Sequence, residues 1–487
     1  MLFQVIYAII LFVVFSAPVV LAVSMFGGVT LGAIRPFWFV VLYWLIVLFF
    51  PNASFGHAWA TVDIRDNIYI RGANLLFLPA VNWMLIGLAA MCMVARHFKT
   101  VVRVRTDLAL FMFGWCLILV GNVIYGATVD YTAKDIVSEK GIFNFINLAL
   151  AIFITISCVR DAQDVRNFVN IFLAAAVLRG IYGVARFIFK GGDPANAYAN
   201  IEKIAIKITF FDINDGLIAT VAAFIAGWRL MQLLNTRDTW RKAMYLGIVI
   251  MQSFIVLFAF RRTGWIGFIF AAILFALTFK GAQRRGLFAL YLMVGIPALL
   301  SQGVKRMVET VRTHDANFFE RLAPDIFMTR AAGEMPSRWL EWAAAWDAIK
   351  TIPVIGLGTQ GAYNGWGIPE LDFRNGDFTW LHSGFLHVGL KAGLVGWFLL
   401  FGMWVVYFRF VLVASKQVSP NARMLMFAGL AGTLFYMPTW LLGTPVIEYR
   451  TMQLQGLLLA LPYLAYALSA KSRAPARQPV ATAYSPA

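Results

Sequence analysis

The sequence predicts an all-α polytopic membrane protein, and three bulk properties carry that prediction. Of the 487 residues, 61% are hydrophobic and only 13% are charged, whereas a soluble domain carries about 25% charged residues. The mean hydropathy is +0.74. The apolar residues are gathered in many runs of about 20, which is the length a helix needs to cross a bilayer.

These apolar runs predict about thirteen transmembrane helices, within a range of about 12–14 because the first fifty residues are crowded. Residues 1–25 lack a basic leading region and a clear cleavage site, so we expect a retained first span rather than a removable signal peptide. The predicted spans are 2–26, 37–50, 73–95, 107–126, 142–158, 168–189, 213–234, 243–260, 264–279, 286–301, 384–412, 424–443 and 451–469.

Basic residues concentrate in alternate loops, and this pattern predicts the orientation. The basic loops lie at 96–105, 160–166, 237–242, 280–285, 416–423 and 471–477. Loops rich in Lys and Arg stay in the cytoplasm, so we place these loops there and the N-terminus outside. The net charge of +17 is then a consequence of topology, and we expect no nucleic-acid partner.

The order of spans and loops predicts four regions. Residues 1–301 form an N-terminal transmembrane bundle, and residues 302–383 form a large periplasmic loop that carries amphipathic helices. Residues 384–470 form the C-terminal transmembrane helices. Residues 471–487, "KSRAPARQPVATAYSPA", have the composition of a disordered cytoplasmic tail.

The cysteines give no sign of a metal or redox centre. Cys92, Cys116 and Cys158 all lie in apolar runs and form no CxxC pair, which is typical of small core residues. No set of His, Cys or carboxylate residues has the spacing of metal ligands. We therefore expect neither a metal ion nor a cofactor.

The predicted periplasmic loop contains a tryptophan-rich helix followed by a glycine-rich segment. One face of the helix over 337–350 carries Trp339, Trp342, Trp346 and Ile349. Tryptophan favours the membrane interface, so the helix either lies on the outer membrane surface or packs on the core of the loop. The glycines of 352–367 indicate a tight backbone near a ligand, or a plain loop, and no P-loop Lys follows them.

Arginines lie at membrane depth near the predicted outer surface. They are Arg179 and Arg186, seven residues apart on one helix face, and Arg261 and Arg262 in a tight turn. Charges at this depth usually face a polar interior or a bound anion. The planar guanidinium matches phosphate oxygens, so these arginines are predicted to bind a diphosphate. The alternative is that they snorkel, or pair with Asp212 or Asp215.

One histidine lies where the long loop re-enters the membrane. His382, with Ser383 beside it, is a candidate general base, because histidine titrates near neutral pH and can take a proton from an acceptor hydroxyl. The alternative is a polar junction residue without a chemical role. His387 lies five residues further into the apolar run and is expected to be a hydrogen-bonded core residue.

The order of these motifs resembles the signature region of bacterial O-antigen ligases and related polysaccharide polymerases. The matching residues are Arg338, Trp339, Pro353, Gly356, Gly358, His382, Gly393 and Gly396. "RRTGW" at 261–265 resembles the Ser-Arg-Gly-x-Trp turn of the family, while Ser383 replaces its usual Asn and Lys391 its common Glu. The signature covers 337–397, and the span count and late external loop extend the resemblance to most of the chain.

The resemblance implies a GT-C-like, metal-independent, inverting glycosyltransferase in the bacterial inner membrane, with its active site facing the periplasm. The implied donor is a glycan on undecaprenyl diphosphate, and the acceptor is a hydroxyl of lipid A–core, of a second lipid-linked glycan or of a protein. It also implies that His382 deprotonates or orients the acceptor hydroxyl, and that Arg186 and Arg261 hold the diphosphate. Further implied residues are Arg262 and Arg179 at the diphosphate, with Arg338, Ser383, Gly356 and Gly358 in support.

Two other functions are compatible with the sequence. A flippase or transporter of a lipid-linked glycan is the main alternative, although transporters often show inverted repeats and none is visible here. A scaffold protein of polysaccharide assembly is the other, and it leaves the intramembrane arginines unexplained. Detection of a covalent glycan product discriminates the transferase from both.

Overall fold

A computed structural model describes residues 35–50, 69, 78–128, 137–138, 141–200, 205–313, 338–364 and 377–471. The first predicted span, 2–26, and almost all of the predicted tail, 471–487, lie outside these residues. The helices are α1 Phe37–Phe49, α2 Ala80–His97, α3 Leu108–Thr128, α4 Asn144–Ser157, α5 Ala162–Phe189, α6 Ala197–Asn200, α7 Ile213–Leu233, α8 Thr239–Leu257, α9 Arg262–Leu277, α10 Gly281–Leu290, α11 Ile296–Thr313, α12 Arg338–Thr351, α13 Gly384–Ala414, α14 Pro420–Leu442 and α15 Tyr449–Lys471. Two short strands, β1 Tyr363–Asn364 and β2 Asp377–Phe378, pair antiparallel with Tyr363 opposite Phe378.

The described residues form an all-α polytopic membrane protein, as predicted. Nine of their helical segments are long and apolar enough to cross a membrane, and α1, α4 and α9 are shorter apolar helices. These twelve segments coincide with the twelve predicted spans that follow residue 36. One boundary differs, because α10 continues through a π-helical turn, Tyr291–Gly295, into α11 and reaches Thr313. The predicted loop start at residue 302 therefore falls inside a helix.

Side-chain caps fix the first turns of the helices that frame the site. Asp212 caps α7 by accepting from the Asn214 amide at 2.9 Å. Ser383 caps α13, where its hydroxyl accepts from the Leu386 amide at 3.4 Å. Such caps satisfy amides that the helix itself leaves unpaired. Each cap therefore defines the residue at which a loop of the site end turns into a helix.

One hydrophobic core joins the N-terminal and C-terminal helices. It includes Phe145 and Val221 from the first half of the chain and Phe435, Trp440 and Leu458 from the second half. Helix α15 is central, because 89% of its apolar membrane-spanning stretch is buried inside the protein. The described helices of the predicted regions 1–301 and 384–470 are thus packed against each other, and the division into separate regions stays a prediction.

The two ends of the bundle have different chemistry. At one end Arg35 pairs with Asp164 at 3.1 Å and Arg96 donates to the Ser157 hydroxyl at 3.0 Å. The predicted cytoplasmic loops that the structure describes lie at this end, which we call the basic end. The loops before α7, α9, α13 and α15 meet at the opposite end, which we call the site end, and they contain the candidate functional residues.

Candidate active site

A histidine–carboxylate pair lies at the site end. One carboxylate oxygen of Glu341, on α12, is 2.9 Å from Nδ1 of His382 and also accepts from the His382 backbone amide at 3.2 Å. The Glu341 side chain is 2% exposed and the His382 side chain 17% exposed. A buried carboxylate on Nδ1 holds the imidazole in one orientation and directs Nε2 away from the pair. The arrangement can therefore present Nε2 as a proton acceptor.

Aromatic residues hold the backbone of the histidine in place. The Trp342 indole donates to the His382 carbonyl at 3.1 Å. The Trp380 ring meets the imidazole edge-on, with 4.9 Å between ring centroids. Ser383, a predicted supporting residue, serves as the cap of α13. The imidazole is thus positioned by α12 on one side and by the start of α13 on the other.

Glu341 is a functional candidate that the sequence pattern alone did not indicate. In the structure α12 buries the stripe of Glu341, Ala344, Ala345 and Ile349. The predicted tryptophan face is split, because Trp342 turns towards His382 while Trp339 is 61% exposed. The sequence did contain a signal: a stripe of small residues at helical spacing marks a packed face, and a carboxylate begins that stripe.

Gly356 and Gly358 support a break in α13. The helix is interrupted at Gly393, where φ is 58° and ψ is −150°. The amides of Leu357 and Gly358 donate to the carbonyls of residues 390 and 391, at 2.8 and 3.1 Å. A Cβ at Gly356, whose φ is +70°, would lie 2.6 Å from the backbone nitrogen of Gly393. These glycines therefore allow the backbone of residues 356–358 to contact the backbone of α13 at its break.

Arg186 and Arg261 bind two carbonyls of one segment, which are two residues apart. Arg186 donates to the Thr209 carbonyl at 2.5 Å, and Arg261 donates to the Phe211 carbonyl at 2.8 Å. The Arg186 guanidinium lies 4.7 Å from the ring centroid of Phe210, and that of Arg261 lies 4.5 Å from the ring of Phe211. The structure therefore brings together the two arginines for which the diphosphate role is predicted.

Arg186 is also held by a carboxylate. One of its terminal nitrogens forms an ion pair with Asp193 at 2.9 Å. Its Nε is buried and has no hydrogen-bond partner in the described part of the chain. Burial raises the pKa of the Asp193 carboxyl, and the Arg186 charge opposes that rise. The guanidinium is thus held by Asp193 and Thr209, and its diphosphate role stays a prediction.

Arg179 is engaged by a carboxylate, which is the alternative stated for it above. Its guanidinium holds both oxygens of Asp215, at 2.5 and 2.9 Å, and donates to the Phe49 carbonyl at 2.6 Å. Arg262 begins α9 and is partly exposed. The diphosphate roles of Arg179 and Arg262 stay predictions.

Arg450 completes a buried charge cluster with Arg179. It donates to Asp212 at 2.6 Å and to Asp215 at 3.3 Å, and it binds the carbonyls of Val47 and Leu48. Two arginines and two aspartates thus neutralise one another inside the bundle and cap the C-terminal end of α1. A buried charge is tolerated only when paired in this way. No local pattern pairs residue 450 with α7, because 235 residues separate Arg450 from Asp215.

The segment between α14 and α15 connects the charge cluster with the histidine. Arg338, a predicted supporting residue, donates to the Leu442 carbonyl, and the Thr444 hydroxyl donates to the Leu381 carbonyl. At the other end of the segment, Glu448 accepts from the Thr451 hydroxyl at 2.5 Å. Burial, together with the charge of Asp212, raises the pKa of Glu448 to about 7. This segment therefore carries a carboxyl group whose pKa is close to neutral pH.

Two charged or titratable residues inside α13 bind backbone carbonyls. His387 Nε2 is 3.3 Å from the Gly141 carbonyl oxygen, and Lys391 donates to the Gly361 carbonyl at 2.6 Å. Both side chains are completely buried. His387 is thus hydrogen-bonded in the core, as expected. Among the described residues, no three His, Cys, Asp or Glu side chains gather as a metal site would require.

The fold and the site define a class: a multi-pass helical membrane protein with a histidine–carboxylate pair and clustered arginines at one end. Residues 246–401 match the family model described as O-antigen ligase. The match runs from α8 into α13 and includes Arg261, Glu341 and His382. The predicted resemblance is confirmed over this segment, and the match supports a glycan transferase of ligase or polymerase type. A comparison with curated proteins gives no match.

Proposed function

We propose that the protein transfers a glycan from undecaprenyl diphosphate to an acceptor hydroxyl at the periplasmic face of the bacterial inner membrane. The observation that carries the proposal is the pair of His382 with Glu341, placed inside the segment that matches the O-antigen ligase family. The acceptor is a hydroxyl of lipid A–core, of a second lipid-linked glycan or of a protein. As the resemblance to that family implies, the proposed reaction uses no metal ion or cofactor.

The proposed chemistry is a single displacement at the anomeric carbon. His382 Nε2 takes the proton of the acceptor hydroxyl while the hydroxyl oxygen forms a bond to the anomeric carbon. The bond from that carbon to the diphosphate oxygen breaks, and the diphosphate leaves with the electron pair. Attack from the face opposite the leaving group inverts the anomeric configuration. Glu341 stabilises the imidazolium that forms, because its carboxylate lies on Nδ1.

Arg186 and Arg261 are proposed to hold the leaving diphosphate. Guanidinium groups bind phosphate oxygens through parallel hydrogen bonds. Preorganised cations lower the barrier where negative charge develops. The Arg186 guanidinium, held by Asp193 and Thr209, supplies positive charge close to that of Arg261. Arg262, next to Arg261, is proposed to add positive charge at the same site.

The charge of the two ends supports the proposed orientation of the site. The predicted cytoplasmic loops lie at the basic end, and basic loops remain in the cytoplasm. The site end then faces the periplasm. A lipid-linked glycan presents its diphosphate at the membrane surface, and Arg186 and Arg261 lie where α5 ends and where α9 begins.

The test is glycan transfer by purified protein in liposomes, with undecaprenyl-diphosphate-linked glycan and acceptor, in the presence of a chelator. We expect transfer by the wild type and a loss of about 10²-fold or more for His382→Ala, which is the usual contribution of a general base. The matched control is His97→Ala, since His97 is an exposed histidine at the basic end. Full transfer by His382→Ala would remove the general-base role.

The same liposomes discriminate the transferase from a flippase. A flippase moves the lipid-linked glycan across the bilayer without forming a covalent product, and it needs no acceptor. Transfer to the acceptor without such movement supports our proposal. Movement of the donor without any product, by wild type and His382→Ala alike, would favour the flippase.

A further inference from the structure

The outer side of α12 and the loop that follows it form an apolar surface. Trp339 is 61% and Trp346 47% exposed on α12. The loop continues this surface with Ile352, Val354 and Ile355, which are 42%, 56% and 67% exposed. We call residues 352–355 the apolar tip. Contiguous large apolar side chains at a surface mark an interaction site.

The apolar tip joins a stripe of α13 that faces away from the protein. The amides of Leu394 and Val395 donate to the carbonyls of Pro353 and Val354, at 2.8 and 3.1 Å. Leu394 is 53% exposed, and Phe398, one turn further along α13, is 71% exposed. Because α13 is a membrane-spanning helix by length and composition, side chains exposed on its apolar run face lipid. The tip therefore continues a lipid-facing surface.

The length of α13 places this contact near the edge of the hydrocarbon layer. After its break at Gly393, the helix continues over residues 394–414, which is about 31 Å at 1.5 Å per residue. The hydrocarbon core takes about 30 Å, so the part after the break is long enough to cross it. The part before the break carries the buried His387 and Lys391, whereas residues 394–408 contain no charge. The tip therefore meets α13 where the apolar run begins.

Tryptophans also lie where the tip meets α13. The rings of Trp346 and Trp397 stack with 6.0 Å between their centroids, so the second half of α12 lies beside the first apolar turns of α13. Tryptophan is enriched where headgroups meet acyl chains. The next charged residues, Asp347 and Lys350, are exposed and pair with each other at 2.6 Å. Charged groups flanking exposed tryptophans are typical of an interfacial helix.

We propose that the apolar tip, with Trp339 and Trp346, inserts into the headgroup–acyl boundary of the leaflet at the site end. The partner is the lipid bilayer itself, because the surface is continuous with the lipid-facing stripe of α13 and lies at the level of its boundary. The opposite face of α12 holds Glu341, so lipid contact sets the height of the Glu341–His382 pair above the membrane. The inference does not depend on the proposed reaction.

The test measures the depth of single positions in liposomes of phosphatidylcholine and phosphatidylglycerol. The three native cysteines are replaced by Ala, and Ile355→Cys in the full chain is labelled with the environment-sensitive dye NBD. The matched control is Asn364→Cys, an exposed position of the same loop. The membrane reference is Phe398→Cys on α13. Quenching by lipids that carry a nitroxide near the headgroup or deep in the acyl chain reports the depth.

We expect the label at position 355 to emit at shorter wavelength than the label at position 364, and to be quenched more strongly by the shallow nitroxide. Position 398 should respond to the deep nitroxide. Equal emission and quenching at positions 355 and 364 would overturn the proposal. Shielding of position 355 that appears only after another membrane protein is added would also overturn it, since the occupant would then be a protein. Neither result bears on the proposed glycan transfer, which the transfer assay tests independently.

Discussion

The contact between Glu341 and His382 yields the most specific prediction. Glu341→Gln keeps the size of the side chain but removes its charge, so the imidazolium that forms during proton transfer loses its stabilising partner. We expect a lower turnover number with an unchanged KM for the donor, because Glu341 acts through His382 and touches neither substrate. Glu341 is thus a positioning residue.

The geometry sets the size of the effect. One oxygen of Glu341 serves both the ring at 2.9 Å and the backbone amide at 3.2 Å. A hydrogen bond to a charged group contributes about 1.5–3 kcal/mol, and a neutral one about 0.5–1.5 kcal/mol. The loss of about 1–1.5 kcal/mol on removing the charge corresponds to roughly tenfold in rate. Glu341→Ala removes both bonds and should reduce the rate about 10²-fold.

The assay is glycan transfer in liposomes under saturating and limiting donor. The matched control is Asp347→Asn, an exposed acid on the same helix, for which we expect rates within about twofold of the wild type. Since two residues that act as a unit are not additive, Glu341→Gln should add nothing to His382→Ala. Size-exclusion and thermal unfolding profiles establish that each variant is folded.

Two results would contradict the proposed action of Glu341 on His382. Wild-type turnover in a folded Glu341→Ala protein would show that the carboxylate does not act on the histidine. A further tenfold loss when Glu341→Gln is combined with His382→Ala would show that the two residues contribute independently.

Four further predictions concern the arginines, the helix break and a buried acid. Arg261→Ala should lower turnover about 10²-fold, because a preorganised donor to the leaving group is lost. Gly393→Ala should cost about 2 kcal/mol or more of unfolding free energy, since its φ of 58° and ψ of −150° suit only glycine. Arg450→Met should cost about 3–5 kcal/mol by leaving buried aspartates underpaired. The pKa of Glu448 is raised from 4.5 to about 7. The Glu448 side chain therefore stabilises the fold fully below pH 4.5, and this stabilisation is lost as the pH rises through about 7. In Glu448→Gln the free energy of unfolding should decrease less over this pH range.

Transfer assays check the first of these predictions, and thermal unfolding in detergent checks the others. Gly247→Ala is the control for Gly393→Ala, because a Cβ at Gly247 meets nothing within 4 Å. Arg261→Lys should retain more activity than Arg261→Ala if positive charge is what matters. A Glu448→Gln protein with the same pH dependence as the wild type, or an Arg450→Met protein of wild-type stability, would contradict the corresponding prediction.

The helical architecture could be predicted from the sequence alone. Apolar runs of membrane-spanning length define helices whatever their neighbours are, because backbone groups in lipid must be satisfied within the segment. Twelve of the thirteen predicted spans could therefore be matched to helices in the described residues. The order of motifs around His382 also sufficed to predict the family. His382, Arg186 and Arg261 could be singled out because ionisable residues at membrane depth are rare.

The hydrogen-bond and ion-pair partners of those residues could be assigned only from the tertiary structure. Glu341 lies 41 residues from His382, and Arg179 and Arg450 are joined to α7 by bonds that span 36 and 235 residues. Local periodicity fixes which residues share a helix face but not which helix lies opposite that face. The same limit explains why the tryptophans of α12 could be placed on one broad face, while packing divided that face into a side towards His382 and a side away from the protein.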